Sequence, residues 1–426
     1  MDRIQSRLTA SLFLHHTFLR FHTIFLARIQ CTQSVRLVGI LFSASLLLSP
    51  RVQAGPQARQ PGASQFKSLS EQAAKASSEN RLDEAAALYA KALALRPKWT
   101  DGWWSLATIE YDRDHYAKAA HAFEKVIALD SKNGTAHAML GLCQFELHQD
   151  DAALKNLLAA ENIGVVKDQQ LRIVALYHMG VLELRFGKYG AAKETFGQLA
   201  RDHIRSQELT SGMGLAALLI KSQDAPAEGA PAASVVQGVG EAELFLTAND
   251  FDQAKQKYIQ LIGEFPDYPN LHFAFGRVLL ETHENDQAIQ QFELELQRDP
   301  KHVDSMLEIA VARQLVDPQA GLKYAEDAAK LAPSLPFAHY ILGMLRLDTG
   351  DANGAIPQLE IACKAFPTEA GVYFALGRAY SKVGRKEDAG KARAEFARLN
   401  AQAAKQPVGP TIYGEQVKSL DKELPH

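Results

Sequence analysis

Residues 336–367 read PFAHYILGMLRLDTGDANGAIPQLEIACKAFP, and this stretch decides the fold. It divides into two amphipathic segments about a Gly350-Asp351-Ala352-Asn353-Gly354 turn. Leu342, Gly343 and Arg346 share one helical face of the first segment; Ala355, Leu359 and Ala362 share one face of the second. Glycine inside a helix costs up to about 1 kcal/mol relative to alanine, so Gly343 needs a packing reason. Facing Ala355, it lets two helix axes approach at the short end of the roughly 8–10 Å range for packed helices. Pro367 then ends the second helix, because its ring cannot continue the hydrogen-bond ladder.

The same arrangement recurs outward from this stretch. Pro266, Pro300, Pro333 and Pro367 follow one another at 34, 33 and 34 residues. Ala254, Ala288, Ala355 and Ala389 keep that beat with Gly321 in the missing place, and Gly276, Ala310, Gly343 and Gly377 repeat it. Small residues in two fixed slots and proline in a third, at a period near 34, mark a helix-turn-helix solenoid. The expected fold is all-α, a right-handed superhelical solenoid in which each unit buries its apolar face only against its neighbours. Such arrays recognise other molecules by surface shape.

These residues resemble the tetratricopeptide repeat, whose pattern is W-x2-L-G-x2-Y, then A-x3-F, then P. One copy shows Trp103, Leu106 and Ala107, then Ala119 and Phe123; another shows Tyr373, Leu376, Gly377 and Tyr380, then Gly384 and Ala389. About nine repeats in two halves are expected, at 66–99, 100–133, 134–167, 173–206, 235–268, 269–302, 303–335, 336–369 and 370–400. The third ends in Ile163-Gly164 in place of proline. A single helix at roughly 203–221 lacks its second helix and runs into an Ala/Pro-rich linker, 222–233. A seam is therefore expected between arrays 66–221 and 234–400, with a linker at 55–65 and a polar tail at 401–426.

The first 54 residues stand outside the array. Leu37 to Leu48 is a 12-residue apolar run preceded by Arg36 and followed by Ser49-Pro50-Arg51-Val52-Gln53-Ala54. A basic flank, a short apolar core and a Val-x-Ala ending describe a secretory signal peptide cleaved near Ala54, and twelve residues fall short of the about 20 needed to span a bilayer. A periplasmic or extracellular protein of the exported bacterial type is expected, with no integral membrane segment in the mature chain. A compact signal begins at Val35, so translation is expected to start there; a longer leader or an organelle transit segment is the alternative.

Losing residues 1–54 removes six arginines and one aspartate and leaves 40 basic against 48 acidic side chains, a net charge of −8. That balance argues against nucleic acid, whose phosphates require clustered Lys and Arg, and against an anionic membrane surface. The two mature cysteines, Cys143 and Cys363, lie in distant repeats and are expected to remain free thiols.

No metal-binding His-Glu-x-x-His, Walker loop, Gly-x-Ser-x-Gly or Cys-x-x-Cys is present, so neither an enzyme, a metal nor a cofactor is expected. His137, His272 and His339 share the slot of Trp103 and Tyr373 and read as packing residues.

A second stripe on the first helices carries the candidate binding residues. It comprises Trp104, Thr108 and Tyr111; Leu142 and Phe145; Tyr177, Val181 and Leu184; Phe273 and Arg277; Tyr340; and Phe374 and Arg378. Two readings are open. The rings are core, buried by neighbouring repeats, or they line a groove, since a helix apolar on two faces needs two things to pack against. The resemblance implies the second: in that family this stripe looks into the concave groove, where peptides bind. Positions that would carry Lys and Asn in a carboxylate clamp hold Thr108, Leu142 and Val181, so no such clamp is expected. Arg277 and Arg378 interrupt the stripe and suggest a preference for acidic or polar segments there. The expected function is a protein–protein interaction scaffold in the cell envelope. An assembly factor of a polysaccharide- or pilus-type export machine, with separate partners on each half, is the second reading. An accessory to a glycan-handling enzyme is the third.

Overall fold

The computed structural model describes residues 61–164 and 168–403, so the expected leader and nearly all of the expected tail lie outside the described residues. Nineteen α-helices, one short 3-10 turn and no strand occur among the described residues. The described residues form two compact units, divided between Ala175 and Leu176.

The first unit contains α1 (Pro61–Ser78), α2 (Leu82–Leu95), α3 (Thr100–Asp112), α4 (Tyr116–Leu129), α5 (Gly134–Glu146) and α6 (Asp150–Ile163). These pair as three helical hairpins, each packed on the next. The boundary between units falls within α7 (Gln169–Arg185). The second unit continues through α8 (Tyr189–Arg201), α9 (Gln207–Ala217), α10 (Pro231–Thr247), α11 (Phe251–Glu264), α12 (Leu271–Glu281) and α13 (Asn285–Arg298). It closes with α14 (Val303–Arg313), α15 (Pro318–Leu331), α16 (Pro336–Asp348), α17 (Ala352–Ala365), α18 (Ala370–Lys382) and α19 (Lys386–Ala403).

Each periodic slot has a local task. Ala119, Ala153, Ala192, Ala254, Ala288 and Ala355 are fully buried, and four residues on stand Phe123, Leu157, Phe196, Tyr258, Phe292 and Leu359, also in the core. Burying one such side chain contributes about 1.5–3 kcal/mol. The small residue of the first helix lies beneath this large one. A β-carbon on Gly276 would stand 2.5 Å from the Phe292 ring, and one on Gly343 would stand 2.6 Å from Leu359 Cγ. Gly343 thus faces Leu359, one turn beyond the expected Ala355, because the bulk that needs room is the leucine. Pro97, Pro266, Pro300, Pro333 and Pro367 each fall two residues after the last helical residue. Within the hairpins, single left-handed residues reverse the chain at Asn80, Asp114, His148, Gly187, Asn249, His283, Gly350 and Gly384.

The Trp103 slot is a packing position, as expected. Trp103 Nε1 donates to Pro97 O at 2.8 Å, His339 Nε2 lies 2.9 Å from Pro333 O, and Tyr373 OH donates to Pro367 O at 3.1 Å. The Nδ1 atoms of His137, His272 and His339 meet the side-chain amides of Asn156, Gln291 and Gln358 at 2.6–2.9 Å. Cys143 and Cys363 are free, and burial pushes the Cys143 thiol up to about 12.

One local expectation is corrected. The helix expected to stand alone, α9, is paired with α10 across the 222–233 stretch. A β-carbon on Gly214 would fall 1.9 Å from Val236 O, and one on Gly240 would fall 1.8 Å from Thr210 O. The two backbones therefore touch, and only glycine fits at both crossing points. The seam expected at 222–233 lies inside the second unit.

Candidate interaction surface

In the first unit, Trp104 on α3 is half-buried, with its ring edge-on to Phe123 at 5.4 Å. Phe123 is wholly buried, so it fixes the indole from below. Thr108, also half-buried, donates its hydroxyl to Trp104 O at 2.9 Å. Tyr111 is core, 5.5 Å from the Tyr116 ring, and burial raises its phenol well above the ordinary value. On α5, Leu142 is buried and Phe145 half-buried. At the end of α3, next to Tyr111, Asp112 has one carboxylate oxygen shielded from water with no hydrogen-bond partner. Burial, with Asp114 adding repulsion, raises its pKa to about 6.

In the second unit, Tyr177 and Val181 on α7 are half-buried, and Leu184 is core. The Tyr177 ring lies 6.1 Å from Phe196, and burial raises its phenol. Phe273 is buried between the rings of Phe292 and His302, at 5.8 and 5.1 Å, and Tyr340 is buried near Phe337. Phe374 on α18 keeps 49% of its surface, with Phe396 at 5.3 Å and the Arg378 guanidinium 5.9 Å from its ring centre. The stripe is therefore not uniform. Tyr111, Leu142, Leu184, Phe273 and Tyr340 are packed into the core, whereas Trp104, Thr108, Phe145, Tyr177, Val181, Arg277, Phe374 and Arg378 retain accessible surface.

The cations that interrupt the stripe already have partners. Arg277 Nε lies 3.8 Å from Glu308 Oε1, and Arg378 Nη2 donates to Asp348 Oδ1 at 3.1 Å. The expected preference for acidic segments loses its basis, because each positive group is offset by a carboxylate. Sequence reading also missed Glu243, which stands on α10 one repeat before Arg277. It is 1% exposed; Tyr258 OH donates to its Oε1 at 2.8 Å, and Lys193 Nζ lies 2.9 Å from its Oε2. Lys193 also reaches Glu281 at 3.3 Å. Burial opposes the charge on Lys193, but Glu243 and Glu281 more than offset that and raise its pKa. Lys193 in turn lowers the pKa of Glu281, while burial raises that of Glu308 against the pull of Arg277. The signal that could have found Glu243 is the 34-residue beat itself.

Among the described residues no helix is long and apolar enough to cross a membrane, and no group of three or more His, Cys, Asp and Glu is placed to hold a metal ion.

Paired helices with these slot residues define a helical-hairpin repeat protein. The chain is a tetratricopeptide-repeat protein: models of that repeat match residues 105–163 and 245–308. It is 32% identical over 117 residues to the general transcriptional corepressor trfA of Dictyostelium discoideum. That match covers 27% of this chain and only 8% of the relative, so the chain spans a small part of that protein's length. Among solved structures, MamA is 21% identical, with 39% of this chain and 97% of that one covered and a TM-score of 0.36. YrrB, described as a TPR protein with an unusual peptide-binding site, is 18% identical, with 39% and 87% covered and a TM-score of 0.36. The Cut9–Hcn1 hetero-tetramer of the APC/C is 14% identical, with 80% and 89% covered and a TM-score of 0.34. Repeat arrays of this family are generally non-catalytic scaffolds for protein–protein interaction.

Proposed function

We propose that the chain is an exported scaffold that holds a segment of another protein against the accessible part of its first-helix stripe. The observation that carries this reading is the Trp104–Phe123 pair: an indole with remaining accessible surface, fixed by a wholly buried ring. An anchored ring offers large contact area with little rotamer freedom left to lose on binding. Thr108 and Phe145 extend the accessible surface of that unit. A photo-crosslinking residue at Thr108, used in cells, should capture one partner, and Trp104→Ala should abolish the capture. Capture that persists in the Trp104→Ala chain sinks the reading.

The second reading, an envelope assembly factor with separate partners, is favoured by a difference in surface chemistry. The first unit offers Trp104 and Phe145, whereas the second carries ion-paired Arg277 and Arg378 on the same stripe. Crosslinkers at Thr108 and Phe374 should then capture different proteins. Export rests on the sequence of residues 1–54. A fusion of residues 1–60 to a reporter active only outside the cytoplasm should be active, and a silent fusion contradicts export.

A further inference from the structure

The turn between α14 and α15 departs from every other turn inside a hairpin. Leu219, between α9 and α10, is left-handed as well, whereas the α14–α15 turn has no left-handed residue. Gln314 stays in the right-handed helical region, and Asp317 caps α15, accepting from Ala320 N at 3.1 Å, with Pro318 as first helical residue. This wider turn projects Leu315 and Val316 into solvent, where they are 95% and 85% exposed. Two adjacent aliphatic side chains held clear of the body by a capped, proline-started helix have no role in their own unit's core. Asp317 beside them has no cation within ion-pair distance among the described residues.

The first unit offers a matching recess. A cleft of about 600 Å³ is open between α2, α3 and α4. Ala86, Ala87, Ala90 and Ala117 line it where longer side chains would fill it, and Trp103 forms one wall. Its volume is within the roughly 300–1,000 Å³ of ordinary ligand pockets, ample for two aliphatic side chains. The acidic groups at one end are engaged: Arg113 donates to Glu110 at 3.2 Å and also to Asp83. Lys118 on the lining has no ion-pair partner among the described residues, so the cleft, whose two carboxylates and two cations balance, presents an apolar floor with one ammonium not in an ion pair. An apolar pair flanked by a carboxylate is its complement.

We infer that the Leu315–Val316 tip of one copy seats in the alanine-lined cleft of a second copy, with Asp317 meeting Lys118. The contact joins two different surfaces, so it is heterologous. Each added copy leaves a tip and a cleft free, and association proceeds to short chains or closed rings. The contact is small, which places it among weak interactions. It is independent of the partner proposed for the stripe.

Sedimentation velocity of the mature chain, from low to high micromolar concentration, tests the inference. Mass should rise with concentration. Leu315→Asp, which removes the tip, and Ala87→Glu, which blocks the cleft, should each weaken association about tenfold or more. Both positions are exposed, so both variants should keep the wild-type melting temperature. Mixing the two variants should give a pair that stops at two copies, because the Ala87→Glu chain keeps its tip and the Leu315→Asp chain keeps its cleft. A monomer at every concentration overturns the inference, whether the tip serves another protein or the cleft holds a segment of its own chain. Association unchanged by either variant, or no pairing in the mixture, overturns it equally.

Discussion

Gly240 of α10 lies against the carbonyl of Thr210 on α9 so closely that a β-carbon would stand 1.8 Å from the oxygen. No rotamer change relieves such a contact, because both partners are backbone. Gly240→Ala should therefore force the helices apart and cost about 1–3 kcal/mol or more. Gly263, near the end of α11, has nothing within 4 Å of the place a β-carbon would take. Gly263→Ala should instead stabilise by about 0.4–1 kcal/mol, through helix propensity and a less flexible unfolded chain. Thermal melts of the two variants should move in opposite directions; equal shifts would show that the α9–α10 approach is looser than described.

Lys193 and Glu243 form a pair that is expensive to break on one side only. Removing the amine in Lys193→Ala leaves a carboxylate 1% exposed with Tyr258 as its remaining partner. The expected loss is at the lower end of about 3–5 kcal/mol, since the Lys193 side chain is itself 28% exposed. Adding Glu243→Gln should recover much of it, which a double-mutant cycle measures. Strictly additive losses would mean the two groups act independently.

Asp112 should make stability pH-dependent. Its folded pKa is raised from 3.8 to about 6, so between these values the folded state holds a proton that the unfolded state has released. Stability contributed by this group is then lost as pH rises from about 4 to about 6 and stays lost above. Asp112→Asn should raise the melting temperature at pH 7.5 and give no such gain at pH 4. A gain of the same size at both values would exclude titration of Asp112 as the cause.

What could be read in the sequence follows from the reach of each interaction. Gly343, Leu359 and Pro367 act within one hairpin, so their spacing reports their task directly. Gly214 keeps the 34-residue beat with Gly180, but the α9–α10 pair was illegible because Gly240 does not keep it and a 13-residue connection hides where the two helices meet. The burial of the stripe was illegible for another reason. Tyr111 is covered while Trp104 keeps open surface at neighbouring places on one helix, and the difference depends on what adjoining helices bring over each ring. Arg277 looked like an available cation because its partner, Glu308, belongs to the following repeat.

The proposed docking surface depends most directly on Trp104. The measurement is the affinity of the partner captured from position 108 for the wild-type and Trp104→Ala chains, taken together with their melting temperatures. Loss of an exposed anchor should weaken binding by about 2 kcal/mol or more. The melting temperature should fall by less than half as much as in Phe123→Ala, where a buried ring is removed at about 3–5 kcal/mol. A melting loss equal to that of Phe123→Ala, with affinity unchanged in the folded fraction, would make Trp104 a core residue and contradict the proposed docking surface.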